Sequence, residues 1–114
     1  MKSFYLTDAG KVRNHNEDSV IIVKNDEDSY LMAIADGMGG HNKGEVASEL
    51  AAENIIKFLK NNLIQNGNVK INYVDDILKQ AYNNVNNMIY KKSIEDDMYH
   101  GMGTTLTVVI LYDE

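Results

Sequence analysis

A single acidic residue, Asp36, stands where an apolar run ends and a glycine-rich stretch begins. The run is YLMAIA over residues 30–35, and the stretch that follows reads DGMGGHNKGE. A carboxylate at the rim of a buried sheet is expected to be partly stripped of water, and such a charge is costly unless it is paired or binds a cation. Gly37 has no side chain, so a hard divalent ion such as magnesium, manganese or calcium can approach its main-chain carbonyl. The alternative is that the Asp-Gly pair only forms a turn.

The same glycines resemble nucleotide-binding loops, but their spacing does not fit. Gly39 and Gly44 match the two glycines of a P-loop, yet Glu45 stands where that loop requires Lys. A dinucleotide fingerprint would need a third glycine at Asn42. An EF-hand fails as well, because DEDSYLMA lacks the glycine and the terminal glutamate of that loop.

A second polar cluster, VRNHNEDS over residues 12–19, precedes the first strand of a predicted hairpin. The strands are DSVIIV and YLMAIA, which are β-branched or continuously apolar, and we expect both to be buried. Because the strands of a hairpin are antiparallel, Glu17 and Asp18 should lie near Asp36. Converging carboxylates repel one another unless a cation lies among them, which favours a metal site over a simple turn. Arg13 is then placed to grip an oxyanion through two parallel hydrogen bonds, the alternative being an ion pair with a neighbouring acid.

Two helices and a closing strand complete the pattern. Apolar residues recur every three or four positions over 45–61 and again over 74–89. Asn72 and Asp75 have the spacing of a capping box before the second helix, and the segment around Gly67 is predicted to be a loop. The predicted order is β-β-β-α-α-β, with an opening strand at SFYLT and a closing strand over 104–112.

Composition narrows the class of protein. The 114 residues suffice for one domain, and the absence of cysteine excludes disulfides and thiolate metal sites. A formal net charge of −6, with no basic cluster, argues against binding to nucleic acid. No apolar run is long enough to span a membrane, and the first residues do not have the pattern of a signal peptide. We therefore expect a cytoplasmic protein.

Three motifs in order carry a family resemblance: TDAGKVRNHNEDS, ADGMGGHNKGEVAS and GMGTTLTVVIL. Together they resemble the first half of the metal-dependent protein serine/threonine phosphatases of the 2C type (PPM family), most closely the bacterial branch. The resemblance covers residues 7–111. It implies an α+β fold, the N-terminal part of an α-β-β-α sandwich in which two antiparallel sheets pack face to face between helix pairs. It also implies two magnesium or manganese ions and phosphorylated proteins as substrates.

The resemblance also implies roles for individual residues at the metal site. Asp36 matches the residue that bridges both ions, and Gly37 matches the one that supplies its main-chain carbonyl. Glu17 and Asp18 match acids that hold water on the ions or lie just behind the ligands. Hydrolysis would then use a metal-activated water, without a covalent phosphoenzyme.

Four further residues match positions near the substrate. Arg13 matches the arginine that receives the substrate phosphate, and His41 matches a histidine that positions substrate or protonates the leaving oxygen. Animal members have a histidine where this chain has Met38. Thr104 and Thr105 match a structural pair whose hydroxyls satisfy main-chain groups near the site, so we do not expect them to be catalytic.

Domains of this family are longer than this chain, and their second half supplies further aspartates of the metal site. We therefore expect residues 1–114 to be the N-terminal half of a truncated phosphatase domain, inactive alone, with weak metal binding. Its last strand should have an unpaired edge through which copies associate. The alternative is a non-catalytic interaction or regulatory module that keeps part of the phosphatase fold.

Overall fold

Most of the described part of the chain forms a helix pair packed on one face of an antiparallel sheet. This computed structural model describes residues 18–24, 29–40, 43–65 and 68–112. The elements, in chain order, are β1 (Asp18–Lys24), β2 (Tyr30–Met38), α1 (Lys43–Asn62), β3 (Ile64–Gln65), β4 (Asn68–Val69), α2 (Val74–Glu95), β5 (Gly103–Thr104) and β6 (Thr107–Leu111). The predicted α+β class with an antiparallel sheet is confirmed, whereas the predicted strand at SFYLT lies outside the described residues.

Strand β2 is the centre of the sheet. It pairs antiparallel with β1 on one side and with β6 and then β5 on the other. The predicted hairpin is therefore confirmed, but the closing strand is not continuous, because it is interrupted between β5 and β6. The register does not change across the gap: Ile34 lies opposite Thr107, and Gly37 lies opposite Thr104. No extra residue has been inserted, so the interruption is a local change in hydrogen bonding.

The core lies between the sheet and α1. Ala33 and Ala35 of β2 are fully buried and face Ala51 and Ala52 of α1, which are also fully buried. Small residues on both elements let the helix approach the sheet closely, while larger side chains fill the layer towards α2. The largest fully buried apolar side chains are Leu31, Ile55, Leu59 and Leu63. Burial of each of these side chains stabilises the fold by about 1.5–3 kcal/mol.

The opposite face of the sheet is partly open to solvent in the described residues. Ile34 and Met38 are 40% and 52% exposed, and Leu111 on β6 is 37% exposed. The expectation that the run over residues 30–35 is buried was therefore wrong at Ile34, although Tyr30 on the same face is buried. Side chains alternate between the two faces of a strand, and the helices α1 and α2 cover only one of them.

Two local predictions were also wrong. The residue before α2 is Tyr73, not Asn72, and it makes no side-chain capping bond. A short 3-10 turn at Ile71–Tyr73 precedes the helix instead, closed by a hydrogen bond from the Tyr73 N–H to the Lys70 carbonyl at 3.0 Å. The predicted loop contains the small β3–β4 hairpin, in which Ile64 lies opposite Val69.

No helix within the described ranges is both long enough and apolar enough to cross a membrane.

Candidate functional site

Two carboxylates meet at one end of the β1–β2 hairpin. Asp18, the first residue of β1, lies directly opposite Asp36 near the end of β2. Residues paired in this way share a face of the sheet, with Cβ atoms about 4.5–5.5 Å apart. The predicted proximity of Asp18 to Asp36 is confirmed, and both lie on the outer face. Glu17 and Arg13 lie outside the described residues.

The two acids differ in their exposure to solvent. Asp18 is half-buried, whereas Asp36 is exposed. The expectation that the Asp36 carboxylate is partly stripped of water was therefore wrong within the described structure. The reason is the alternation along β2: Ala35 and Gly37 point to the core on either side of Asp36, which points away from it.

The main chain of Asp36 is hydrogen-bonded to Thr105, which lies beside β2 on the side away from β1. The Thr105 N–H donates to the Asp36 carbonyl oxygen at 2.9 Å, and the Asp36 N–H donates to Thr105 Oγ1 at 3.2 Å. The hydroxyl of Thr104 donates to the Thr105 carbonyl at 2.7 Å. The expectation that these hydroxyls satisfy main-chain groups near the site is thus confirmed.

The glycine-rich loop turns the chain from β2 into α1. Gly39 and Gly40 have φ angles of +123° and +64°, a backbone conformation that residues with a side chain rarely adopt. The N–H of Lys43 donates to the Gly40 carbonyl at 2.8 Å, so the helix begins directly after this bond. Backbone conformation therefore explains why glycine stands at these two positions, without any role in nucleotide binding. His41 lies in this segment but outside the described residues.

A pair of hydroxyl groups, one of them buried, connects α1 to β1. Ser48 is fully buried, and its Oγ lies 3.1 Å from the Oγ of Ser19, the neighbour of Asp18. Ser48 also donates to the carbonyl of Glu45 in the first turn of α1 at 3.1 Å. Sequence reasoning missed this pair. The available signal was a serine on the apolar face of the helix, where a buried hydroxyl needs a partner.

Helix α2 holds the interrupted strand from the inner face. The Tyr82 hydroxyl donates to the carbonyl of Leu106 at 3.0 Å. Burial raises the pKa of Tyr82, and a hydrogen bond from the main chain at Val108 partly offsets that effect. The bond from Tyr82 to Leu106 ties α2 to the residue between Thr105 and β6.

The donor atoms brought together here suit a hard divalent cation. Asp18 and Asp36 offer carboxylate oxygens, and Gly37 offers a carbonyl next to Asp36; magnesium and manganese prefer ligands of this kind. Within the described ranges no cluster contains three or more His, Cys, Asp or Glu side chains. The described residues thus supply two of the predicted carboxylates, and the third, Glu17, lies outside them.

Comparison with known proteins decides the family. The family model of protein phosphatase 2C matches residues 9–114, which is nearly the whole chain. The chain belongs to the protein phosphatase 2C family. The resemblance carried by the three sequence motifs is therefore confirmed.

Relatives of this protein phosphatase 2C chain occur in bacteria. It is 32% identical over 111 residues to the serine/threonine phosphatase stp of Listeria monocytogenes, covering 97% of this chain and 43% of the relative. It is 33% identical over 116 residues to the protein phosphatase PhpP of Streptococcus pneumoniae, covering 99% of this chain and 44% of the relative. The chain thus spans less than half the length of the relatives it matches.

Solved structures of bacterial phosphatases share the fold. The serine/threonine phosphatase Stp1 of Staphylococcus aureus matches with a TM-score of 0.76 at 32% identity, over 95% of this chain and 41% of Stp1. The catalytic domain of the phosphatase PstP, solved in complex with two manganese ions, matches with a TM-score of 0.70 at 35% identity, over 93% of this chain and 41% of PstP. The predicted phosphatase fold is therefore confirmed for the part of the domain that this chain covers.

Proposed function

We propose that this chain supplies the N-terminal part of a cytoplasmic, metal-dependent phosphatase that removes phosphate from phosphoserine and phosphothreonine in proteins. One observation carries the proposal: Asp18 lies opposite Asp36 at the sheet end, where the chain enters the glycine loop. Like charges placed directly opposite each other are destabilising, and a divalent cation between them relieves that repulsion. The serine/threonine phosphatase names of the bacterial relatives support the same reaction.

The chain's own groups divide the work between metal and substrate. Asp36 would hold both ions, and the main-chain carbonyl of Gly37 would be a further ligand. Asp18 and Glu17 would hold water on the ions or orient the ligands. Two magnesium or manganese ions, when bound, would neutralise phosphate charge and lower the pKa of a water nucleophile. The manganese ions in the related PstP catalytic domain support this cofactor.

The substrate side of the site depends on two residues outside the described ranges. Arg13 would bind two oxygens of the phosphoryl group through its planar guanidinium. His41 would orient the substrate or give a proton to the leaving serine or threonine oxygen. These two roles are proposed from the family match of the motifs.

We expect the complete gene product that contains these residues to hydrolyse a phosphothreonine peptide only with added manganese or magnesium. Chelation with EDTA should reduce phosphate release to background, and manganese should restore it, because the ions supply both charge neutralisation and the nucleophile. Phosphate release is measured after EDTA treatment, and then again after manganese or magnesium has been added back in separate samples. Full hydrolysis in EDTA, after dialysis against chelator, would contradict the proposal.

We further propose that residues 1–114 on their own are inactive and associate with one another. Within the described ranges β6 pairs with a single strand, β2, and a β-strand with one side available is a template for another chain. We expect light scattering on a size-exclusion column to give the mass of a dimer or a larger species for this segment. A monodisperse monomer would contradict the association.

The second candidate is a non-catalytic interaction or regulatory module. The observation that favours it is that the described part of the chain brings together two carboxylates, Asp18 and Asp36, and contains no group of three or more His, Cys, Asp or Glu side chains. The same assay separates the two functions: hydrolysis by the complete gene product, dependent on Asp36, favours the enzyme. A complete gene product without hydrolysis at saturating manganese favours the module.

A further inference from the structure

The contact between Asp36 and Thr105 departs from a regular β-ladder. In an antiparallel sheet, two residues of a hydrogen-bonded pair exchange N–H to carbonyl bonds in both directions. Here the bond from the Thr105 N–H to the Asp36 carbonyl is present at 2.9 Å, but the Asp36 N–H donates to Thr105 Oγ1 at 3.2 Å. A side-chain hydroxyl has taken the place of a main-chain carbonyl.

The main-chain carbonyl of Thr105, which does not accept from Asp36, has a different partner nearby. The carbonyl of Thr105 instead accepts the hydroxyl of Thr104 at 2.7 Å. The pairing on either side is regular, with Gly37 opposite Thr104 and Ile34 opposite Thr107. The replacement of a main-chain carbonyl by a hydroxyl is therefore confined to one residue pair, Asp36 and Thr105. This pair includes the carboxylate of the candidate metal centre.

We propose that Thr105 is a positioning residue that sets the direction of the Asp36 carboxylate towards the divalent cations. The inference rests on the proposed function. The Asp36 N–H and the Asp36 carbonyl are both bonded to Thr105. These two bonds fix the orientation of the peptide groups before and after the Asp36 Cα, and with them the direction of its Cα–Cβ bond. Tyr82 holds the neighbouring residue, since its hydroxyl donates to the carbonyl of Leu106, which follows Thr105. A hydroxyl is required at position 105, because a β-branched apolar residue there would have the right shape and no acceptor.

The test compares three variants of the complete gene product. Thr105→Val removes the hydroxyl and keeps the shape, and Thr105→Ser keeps the hydroxyl. The matched control is Thr107→Val, which makes the same chemical change two residues along the chain, opposite Ile34 instead of Asp36. The dissociation constant for manganese is measured from the electron paramagnetic resonance signal of the unbound ion, with Asp36→Asn as the reference for a lost ligand.

We expect Thr105→Val to weaken manganese binding by about 10–100-fold, the range seen when a group that orients a metal ligand is removed. Thr105→Ser should bind within about threefold of the wild type, on the same scale, and Thr107→Val should be unchanged. Thr105→Ala replaces the valine variant if the latter does not fold, as judged by circular dichroism.

Each other result overturns a specific statement. Wild-type affinity in Thr105→Val or Thr105→Ala, with binding lost in Asp36→Asn, refutes the positioning role and leaves the proposed function intact. A loss in Thr105→Ser as large as in Thr105→Val refutes the role of the hydroxyl. Manganese binding that Asp36→Asn does not change refutes the proposed metal site, and the positioning role with it.

Discussion

Asp36→Asn should abolish metal-dependent hydrolysis by the complete gene product. The change keeps the size of the side chain and removes the charge that faces Asp18 across the hairpin. Metal ions contribute several kcal/mol of transition-state stabilisation, so if Asp36 has its proposed role as a ligand of both ions, its loss should reduce kcat/KM by about 10³-fold or more. The rate of phosphate release from a phosphothreonine peptide at saturating manganese measures the effect.

Asp75→Asn is the matched control for this variant. Asp75 lies in the first turn of α2, and it is exposed. Its charge interacts favourably with the helix dipole, which is worth about 0.3–1 kcal/mol of stability, and it should not affect hydrolysis. If Asp36→Asn and Asp75→Asn had the same kcat/KM, Asp36 would not be a metal ligand.

Gly39→Ala should destabilise the protein strongly and disturb the site through the loop. Gly39 has a φ of +123°, and a Cβ atom placed on it would lie 2.9 Å from Cβ of Lys43 and 3.4 Å from Cα of Met102. Neither neighbouring atom can swing away, because both are fixed by the main chain. Backbone strain and overpacking together should lower the free energy of unfolding by about 2–4 kcal/mol, measured by urea denaturation.

Gly40→Ala separates backbone strain from overpacking. Gly40 has a φ of +64°, and an added Cβ would meet no atom within 4 Å. Only the conformational cost remains, about 1–2 kcal/mol for an L-residue in the left-handed region. Equal losses of stability in the two variants would show that the contact with Lys43 is relieved at little cost, contrary to the expectation.

The part of the site that depends on local geometry could be predicted from the sequence. Two strands joined by a short connection must run antiparallel, which places Asp18 against Asp36 whatever surrounds them. The apolar periods likewise located both helices, because burial against a core imposes that spacing. The chemistry of the neighbouring motifs then led to the right family.

The parts that depend on distant contacts could not be predicted in this way. A continuous apolar run does not reveal which face of β2 the helices cover, so Asp36 was expected to be less hydrated than it is. Asn72 and Asp75 have the spacing of a capping box, but the 3-10 turn ending at Tyr73 competes for the same main-chain groups. The hydroxyl of Thr105 acquires its role only through the register of β6 and β5 against β2.

The bond between Asp36 and Thr105 joins residues 69 positions apart in the chain. Asp18 and Asp36 belong to a single hairpin and close a short loop, whereas both helices lie in the loop that the bond from Asp36 to Thr105 closes. Long loops carry a larger entropic cost of closure, which slows the formation of such contacts. During synthesis, Asp18 and Asp36 are therefore both available for pairing long before residue 105 emerges from the ribosome and supplies the hydroxyl.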